Sequence, residues 1–208
     1  MPTEVLLATS NPGKIKRYRA LFQKISPTII LLVPVDVGLE QLVIKETGKT
    51  EAENALLKAK GYWDQLQNKI PCFAGDTGAY LNGVLPEEQP GVATRRITNA
   101  GSHHTKDGDE VMRKFYQDLC SKYGGQLAGY YLDSHCLYTG KIFIDQNKRL
   151  FTLTNDKTVP AIPGLPMVWK GNIVHKYQSE MTEAEHLLEM TPIITSIQSL
   201  LQSAKILV

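Results

Sequence analysis

A polar loop near the N-terminus has the residue types of an anion-binding site. A short, strand-like apolar run over residues 5–9 is followed by a Gly-containing turn and by apolar residues at helical spacing from Ile15 onward. The free backbone N–H groups and the dipole of a helix N-terminus attract phosphate, which Lys14 could neutralise and to which Asn11 could donate. For such a loop taken alone, an ordinary N-capped helix beside a surface lysine is the more common arrangement.

Carboxylates from two separate segments could hold a divalent cation. Glu46 precedes the second predicted helix, and Asp76 lies where a short apolar strand is expected to end. Mg²⁺ prefers oxygen ligands and is usually bound by one or two carboxylates together with substrate phosphates. Glu51 and Glu53 lie nearby, but Thr50 with Glu53 is a capping-box pattern, so capping explains both better. Asp76 taken alone is explained equally well as a turn or helix cap.

The elements that must position these residues favour an α/β fold with a mixed β-sheet. Strands and helices alternate early in the chain, and strand-like segments follow in the middle. Ligands of such sheets bind beyond the carboxyl ends of the strands, where Asn11 and Asp76 are expected. The predicted segments are strands at 29–37 and 71–75, a helix from Thr50, a hairpin with strands at 141–145 and 149–154, and two C-terminal helices separated at Pro192.

Composition excludes several classes of protein. The 208 residues carry 23 Lys plus Arg against 21 Asp plus Glu, and this balance argues against a dedicated nucleic-acid-binding protein. Cys72, Cys120 and Cys136 have no spacing typical of a zinc site or a disulfide framework, which favours a reducing compartment. No segment approaches the ~20 apolar residues of a membrane span, and no signal-peptide pattern is present. We therefore expect a cytoplasmic protein without nucleic-acid or membrane partners.

Three sequence blocks, taken in order, carry a resemblance to a known protein family. Residues 6–14 (LLATSNPGK) match an opening (S/T)-x-N-x-x-K phosphate loop, and residues 46–59 (ETGKTEAENALLKA) nearly repeat an ETGxTFxENAxxKA block. Residues 74–78 (AGDTG) match ADDSG, and residues 90–95 (PGVATR) match PGVYSAR more weakly. Together the blocks resemble the inosine triphosphate pyrophosphatase family, the non-canonical purine nucleoside triphosphate pyrophosphatases.

The resemblance implies a fold and an activity. The fold would be an elongated mixed β-sheet with flanking helices, forming a single two-lobed domain over residues 1–208 with a central cleft. The activity would be Mg²⁺-dependent hydrolysis of a nucleoside triphosphate to the monophosphate and pyrophosphate by a homodimer. Such chemistry depends mainly on positioning, charge neutralisation and a metal acting as Lewis acid.

The resemblance also implies roles for particular residues. Asp76 and Lys14 would be catalytic, and Glu46 and Asp76 would bind the metal. Trp169 lies in the region of the family's GFGYDP segment, which has no clear counterpart here, and could stack on a base. The implied substrate-binding residues are Thr9, Ser10, Asn11, Lys14, Thr77, Gly78, Arg95 and Trp169.

Two departures from the family pattern open an alternative. Gly75 stands where the family has the first Asp of its pair. Counting from residues 182–185 (TEAE), which match T-x-A-E, the family's base-reading Lys falls at Thr191 and its Ser-His-Arg triplet at residues 195–197. Because polar readers give strong discrimination between substrates, we expect altered base selectivity. The alternative is a non-catalytic nucleotide-binding or regulatory protein on the same fold, which Gly75 favours.

Overall fold

A computed structural model of the chain describes residues 3–67, 70–92, 106–159 and 168–207. Strands and helices alternate along these ranges, and short 3₁₀ turns lie at Pro34–Val37, Pro86–Glu88 and Gln178–Glu180. The strands are β1 (Thr3–Leu7), β2 (Ile29–Leu32), β3 (Cys72–Leu81), β4 (Gln126–Tyr138), β5 (Ile142–Thr154) and β6 (Trp169–Gly171). The helices are α1 (Pro12–Ile25), α2 (Glu51–Gln65), α3 (Lys106–Lys122), α4 (Glu183–Glu189) and α5 (Thr191–Ser203).

The strands form a mixed sheet in the order β2-β1-β3-β4-β5-β6. β1 pairs in parallel with β2 and with β3, where Leu7 lies opposite Phe73. β5 and β6 are antiparallel. This arrangement confirms the predicted α/β fold with a mixed sheet and flanking helices. Because β1 ends at Leu7, residues 75 and 76 of β3 extend beyond the carboxyl end of β1, a place where α/β sheets bind ligands.

The chain divides into two compact units. Unit 1 comprises residues 1–76, 133–147 and 192–208, and unit 2 comprises residues 77–132 and 148–191. In unit 1, apolar residues one turn apart on α2 pack with residues of β1, β3 and β4. The unit 1 core includes Leu6, Ala8, Ala55, Ala59, Tyr62, Cys72, Ala74 and Cys136. The unit 2 core includes Ala79, Leu81, Met112, Tyr116, Leu119, Phe151, Leu153 and Trp169.

Local sequence signals placed the starts of α1 and α2 and the division between α4 and α5 correctly, but they did not predict α3. The side chain of Asn11 caps α1, and Thr50 with Glu53 forms the predicted capping box at the start of α2. The two C-terminal helices are divided next to Pro192, as predicted. None of the helices in the described ranges combines the length and apolar character that a membrane span requires.

Three strand predictions were wrong. β2 ends at Leu32 because Pro34, which has no N–H to donate, begins a 3₁₀ turn. The predicted hairpin within residues 141–154 is one continuous strand, β5, and the reversal lies before it at Gly140, whose φ is +84°. β3 does not end before Asp76 but continues to Leu81, so Asp76 is neither a turn nor a helix cap.

Candidate functional site

The loop between β1 and α1 contains the N-cap of α1, Asn11. The Asn11 Oδ1 accepts a hydrogen bond from the Lys14 backbone N–H at 3.1 Å, and Pro12 begins the helix. The Thr9 Oγ1 accepts from the Asn11 N–H at 3.2 Å, while Ser10 is exposed. Asn11 is therefore the residue that caps α1, and its contact with a phosphate stays a prediction.

The side chain of Lys14 contacts β3 and is mostly buried. Its Nζ donates to the Gly75 carbonyl oxygen at 3.0 Å and lies 3.8 Å from the Asp76 Oδ1. Only a quarter of its side chain is exposed. Burial, and secondarily the charge of Lys58, lower the pKa of Lys14 to about 8. The surface-lysine alternative is thus excluded, and an ammonium group stands at the carboxyl edge of the sheet.

Asp76 is the buried centre of the site. Its carboxylate accepts a 2.7 Å hydrogen bond from the Lys58 Nζ and a 3.4 Å contact from the Asn54 Nδ2. Asp76 is 7% exposed and Lys58 is 8% exposed. A carboxylate at this depth requires such partners, because an uncompensated buried charge is strongly destabilising.

Glu46 joins the same charge cluster through Lys58. Its Oε1 lies 3.7 Å from the Lys58 Nζ, and about a third of its side chain is exposed. Lys58 thus contacts the two carboxylates that come from separate segments of the chain. We name Lys14, Glu46, Lys58 and Asp76 the charge cluster; all four residues belong to unit 1.

Lys58 and Asn54 were missed by the sequence reasoning, which took only Glu46 from the 46–59 block. The signal was present, since Asn54 and Lys58 are four residues apart and therefore lie on one face of α2. They directly precede Ala55 and Ala59, which belong to the core. The structure buries both side chains, and buried polar groups need partners; here the partner of both is Asp76.

The carboxylates of the charge cluster fit a hard cation in kind and number. Within the described ranges, no group of three or more His, Cys, Asp or Glu side chains is arranged to hold a metal. Mg²⁺ needs no such cage, because one or two carboxylates suffice when water and phosphate oxygens complete its shell. Glu46 and Asp76 supply two. Glu53 accepts the Thr50 N–H of the capping box, in agreement with the role assigned to it.

The remaining predicted site residues belong to unit 2 or lie outside the described residues. Thr77 and Gly78 follow Asp76 in β3 but belong to unit 2. Arg95 lies outside the described residues. Trp169 is 4% exposed and packs with Phe151 and Tyr131 in the core of unit 2. This burial gives Trp169 a structural role, and its stacking on a base stays a prediction.

The positions at which the resemblance places the base readers carry no cation in this chain. The Thr191 hydroxyl donates to the Leu188 carbonyl oxygen at 2.7 Å, an interaction local to the helix junction. Ser196 is 2% exposed, and its Oγ lies 3.0 Å from the His135 Nδ1. Ile197 is completely buried in unit 1. Ser196 and Ile197 are therefore part of the buried interior.

Comparisons with known proteins agree with the resemblance. Residues 5–130 match the model of the Ham1 family. The dITP/XTP pyrophosphatase of Legionella pneumophila (strain Lens) is 36% identical over 112 residues, which are 53% of this chain and 52% of that protein. The dITP/XTP pyrophosphatase of Aquifex aeolicus (strain VF5) is 36% identical over 94 residues, 45% of this chain and 42% of that protein. The chain spans about half the length of the curated relatives it matches.

Solved structures extend the likeness of fold to nearly the whole chain. The Ham1 protein of Staphylococcus aureus has a TM-score of 0.69 at 17% identity, covering 97% of this chain and 100% of that one. A HAM1 protein from Coxiella burnetii has a TM-score of 0.70 at 17% identity, covering 97% and 99%. The family match includes the whole charge cluster and more than half of the sequence, and the chain therefore belongs to the Ham1 family.

Proposed function

We propose that this chain is a nucleoside triphosphate pyrophosphohydrolase, which cleaves NTP or dNTP to the monophosphate and pyrophosphate. The observation that carries the proposal is the charge cluster, in which two ammonium groups and two carboxylates meet beyond the end of β1. The names of the curated relatives, dITP/XTP pyrophosphatases, support the same reaction. A triphosphate needs cations for its oxygens, and hydrolysis needs a carboxylate to orient water.

Each residue of the cluster has a role in this proposal. Lys14, at the start of α1, binds the phosphate chain, and the positive end of the helix dipole favours the same negative charge. Lys58 neutralises charge beside Asp76. Glu46 and Asp76 would hold Mg²⁺, which supplies Lewis-acid polarisation of the phosphoryl group when bound. Asp76, held in place by Lys58 and Asn54, orients the attacking water.

Altered base selectivity is part of the proposal. Thr191, Ser196 and Ile197 stand where the resemblance places cationic or polar base readers, and two of them are buried in the core. Losing a reader that hydrogen-bonds the base removes discrimination between related bases. We therefore expect kcat/KM to differ less from one triphosphate to another than it would in a site with those readers.

One observation favours the alternative of a non-catalytic nucleotide-binding protein. Gly75 leaves the AGDTG segment with one carboxylate where the family pattern has two. Such a protein would still bind a triphosphate through Lys14 and Lys58 but would not turn it over. Binding without turnover is thus the pattern that separates the two functions.

The test is pyrophosphate release across a panel of ribo- and deoxynucleoside triphosphates that includes ITP and XTP, with and without Mg²⁺. Turnover that requires Mg²⁺ and varies only modestly across the panel is the expected result. Turnover confined to one base would contradict the altered selectivity. Nucleotide binding without turnover of any member would replace the proposal with the non-catalytic alternative.

Two further predictions accompany the proposed function. The resemblance implies a homodimer, and the cysteine pattern favours a cytoplasmic location. Light scattering coupled to size-exclusion chromatography measures the oligomeric state directly. A monomer across the micromolar range would contradict the first of these predictions.

A further inference from the structure

The space beside Gly75 is already filled in this chain. A Cβ built on Gly75 would lie 2.0 Å from the Tyr18 hydroxyl oxygen, 2.9 Å from the Cζ of that ring and 3.2 Å from the Cδ2 of His135. Tyr18 and His135 are completely buried. The side chains of Tyr18 and His135 therefore occupy the volume into which a carboxylate side chain at residue 75 would extend.

The ring of Tyr18 is fixed by its neighbours. It meets Phe73 edge-on, with centroids 5.2 Å apart, and meets His135 edge-on at 6.0 Å. His135 in turn stacks on Phe73 at 5.6 Å, and its Nδ1 lies 3.0 Å from the Ser196 Oγ. In a close-packed interior, moving a side chain that is packed on several sides costs stability. We therefore expect a Cβ at residue 75 to displace α1.

Lys14 contacts the same glycine one helical turn before Tyr18. The two residues are four positions apart on α1 and so lie on one face of the helix. The Lys14 Nζ donates to the Gly75 carbonyl oxygen at 3.0 Å, next to Asp76. Gly75 of β3 thus lies against two successive turns of α1. Its carbonyl oxygen accepts the hydrogen bond from Lys14, and its Cα lies against the Tyr18 side chain.

We propose that Tyr18 and Gly75 form a matched pair that holds Lys14 beside Asp76. Tyr18 is then a positioning residue that acts through Gly75. The inference rests on the proposed function only in taking Lys14 as a phosphate-binding group. The same pair explains why residue 75 carries no carboxylate. With Tyr18 in place, Gly75→Asp would displace α1 and the Lys14 ammonium group.

A double-mutant cycle tests the pair. Gly75→Ala, Tyr18→Leu and the double variant are compared by the midpoint of urea unfolding and by the Kd for inorganic tripolyphosphate. Phe22→Leu is the matched control, because Phe22 is buried one turn after Tyr18 on α1 and packs on the same Phe73 at 5.2 Å.

The pairing predicts coupled effects. Gly75→Ala raises the Kd about tenfold, since misplacement of a binding group by ~1 Å can cost up to about 100-fold. Tyr18→Leu, added to Gly75→Ala, restores most of the affinity and raises the unfolding midpoint, whereas Phe22→Leu does neither. In a Lys14→Ala background, Gly75→Ala leaves the Kd unchanged, a result that a purely structural role would not produce.

Additive effects of Gly75→Ala and Tyr18→Leu on both quantities would overturn the matched pair. A rise in Kd that persists in the Lys14→Ala background would overturn the positioning of Lys14. If the wild-type chain binds no tripolyphosphate, the proposed function fails and Lys14 has no phosphate to be positioned for. The unfolding midpoints still decide the pairing in that case, because they need no ligand.

Discussion

The charge cluster and the region around residues 191–197 differ in how far each departs from the family's pattern. The charge cluster keeps a lysine on α1, a lysine on α2 and carboxylates at Glu46 and Asp76, all linked by contacts of 2.7–3.8 Å. Residues 191–197 instead supply a hydroxyl that bonds its own helix junction and two side chains of the core. Binding a phosphate chain and reading a base are separable tasks, and we expect this chain to perform the first with the charge cluster.

The largest effect is expected from Asp76→Asn. The amide keeps the shape of the side chain but cannot hold a cation or orient water as a carboxylate does. Turnover of the best triphosphate substrate should fall at least about 1,000-fold. The measurement is kcat for pyrophosphate release, with Asp64→Asn as control, because Asp64 is an exposed carboxylate on α2 that pairs with Lys60. Activity of Asp76→Asn near that of the wild type would remove Asp76 from the mechanism.

Lys58→Met should be the most destabilising change in the charge cluster. Removing the ammonium leaves the buried Asp76 carboxylate with weaker partners, and breaking such a pair costs about 3 kcal/mol or more of unfolding free energy. Urea unfolding measures this loss. Lys60→Met, which removes an exposed ion pair on the same helix, should leave the urea midpoint almost unchanged, because exposed ion pairs contribute little to stability. Equal losses in the two variants would show that the pair with Asp76 adds nothing.

Lys14→Ala should weaken binding more than it slows turnover. A charged hydrogen bond to phosphate contributes about 1.5–3 kcal/mol, so KM should rise about 10- to 100-fold with a smaller change in kcat. Lys16→Ala is the control, since Lys16 is exposed on the same helix. A KM unchanged by Lys14→Ala would return Lys14 to the role of a structural lysine that bonds the Gly75 carbonyl group.

The pKa of Lys14 predicts how binding changes with pH. A pKa lowered to about 8 means that the amine loses its charge as the pH rises through 8. Affinity for a triphosphate should therefore fall about tenfold between pH 7 and pH 9. Lys14→Arg, which stays charged throughout this range, should flatten the profile. An identical profile for Lys14→Arg would assign the pH dependence to another group.

The smallest effect is expected at the positions where the resemblance implies base readers. Thr191 is exposed, so Thr191→Lys should put a cation where the resemblance implies a base-reading lysine, with little effect on folding. The preference for ITP or XTP over other triphosphates should increase about threefold, the scale of one exposed charge. Ser199→Lys on the same helix is the control. The same gain in both variants would show a general effect of positive charge.

Local signals made much of the fold predictable, and tertiary contacts decided the rest. The caps at Asn11 and Thr50 depend on neighbouring residues alone, and the structure has both. The continuity of β5 through its polar Gln-Asn-Lys could not be predicted in this way. A strand persists through polar residues when neighbouring strands satisfy its backbone, and that pairing is not encoded locally.

The candidate site was predictable only in part for the same reason. Lys14, Glu46 and Asp76 were found by their types and by the blocks they occupy, and the structure brings them together around Lys58. Lys58 itself shows its role only once α2 is placed against β3. The consequence of Gly75 also depends on a residue far from it in sequence, Tyr18, which fills the space beside it.

The most direct test of the account is ³¹P NMR of the products formed from ITP by the wild-type chain with Mg²⁺. We expect signals of the nucleoside monophosphate and pyrophosphate, which would mean that the bond between the α- and β-phosphates has broken. A diphosphate with inorganic phosphate would show a different cleavage and contradict the proposed reaction. An unchanged triphosphate spectrum, with nucleotide bound, would show that the charge cluster binds without catalysing.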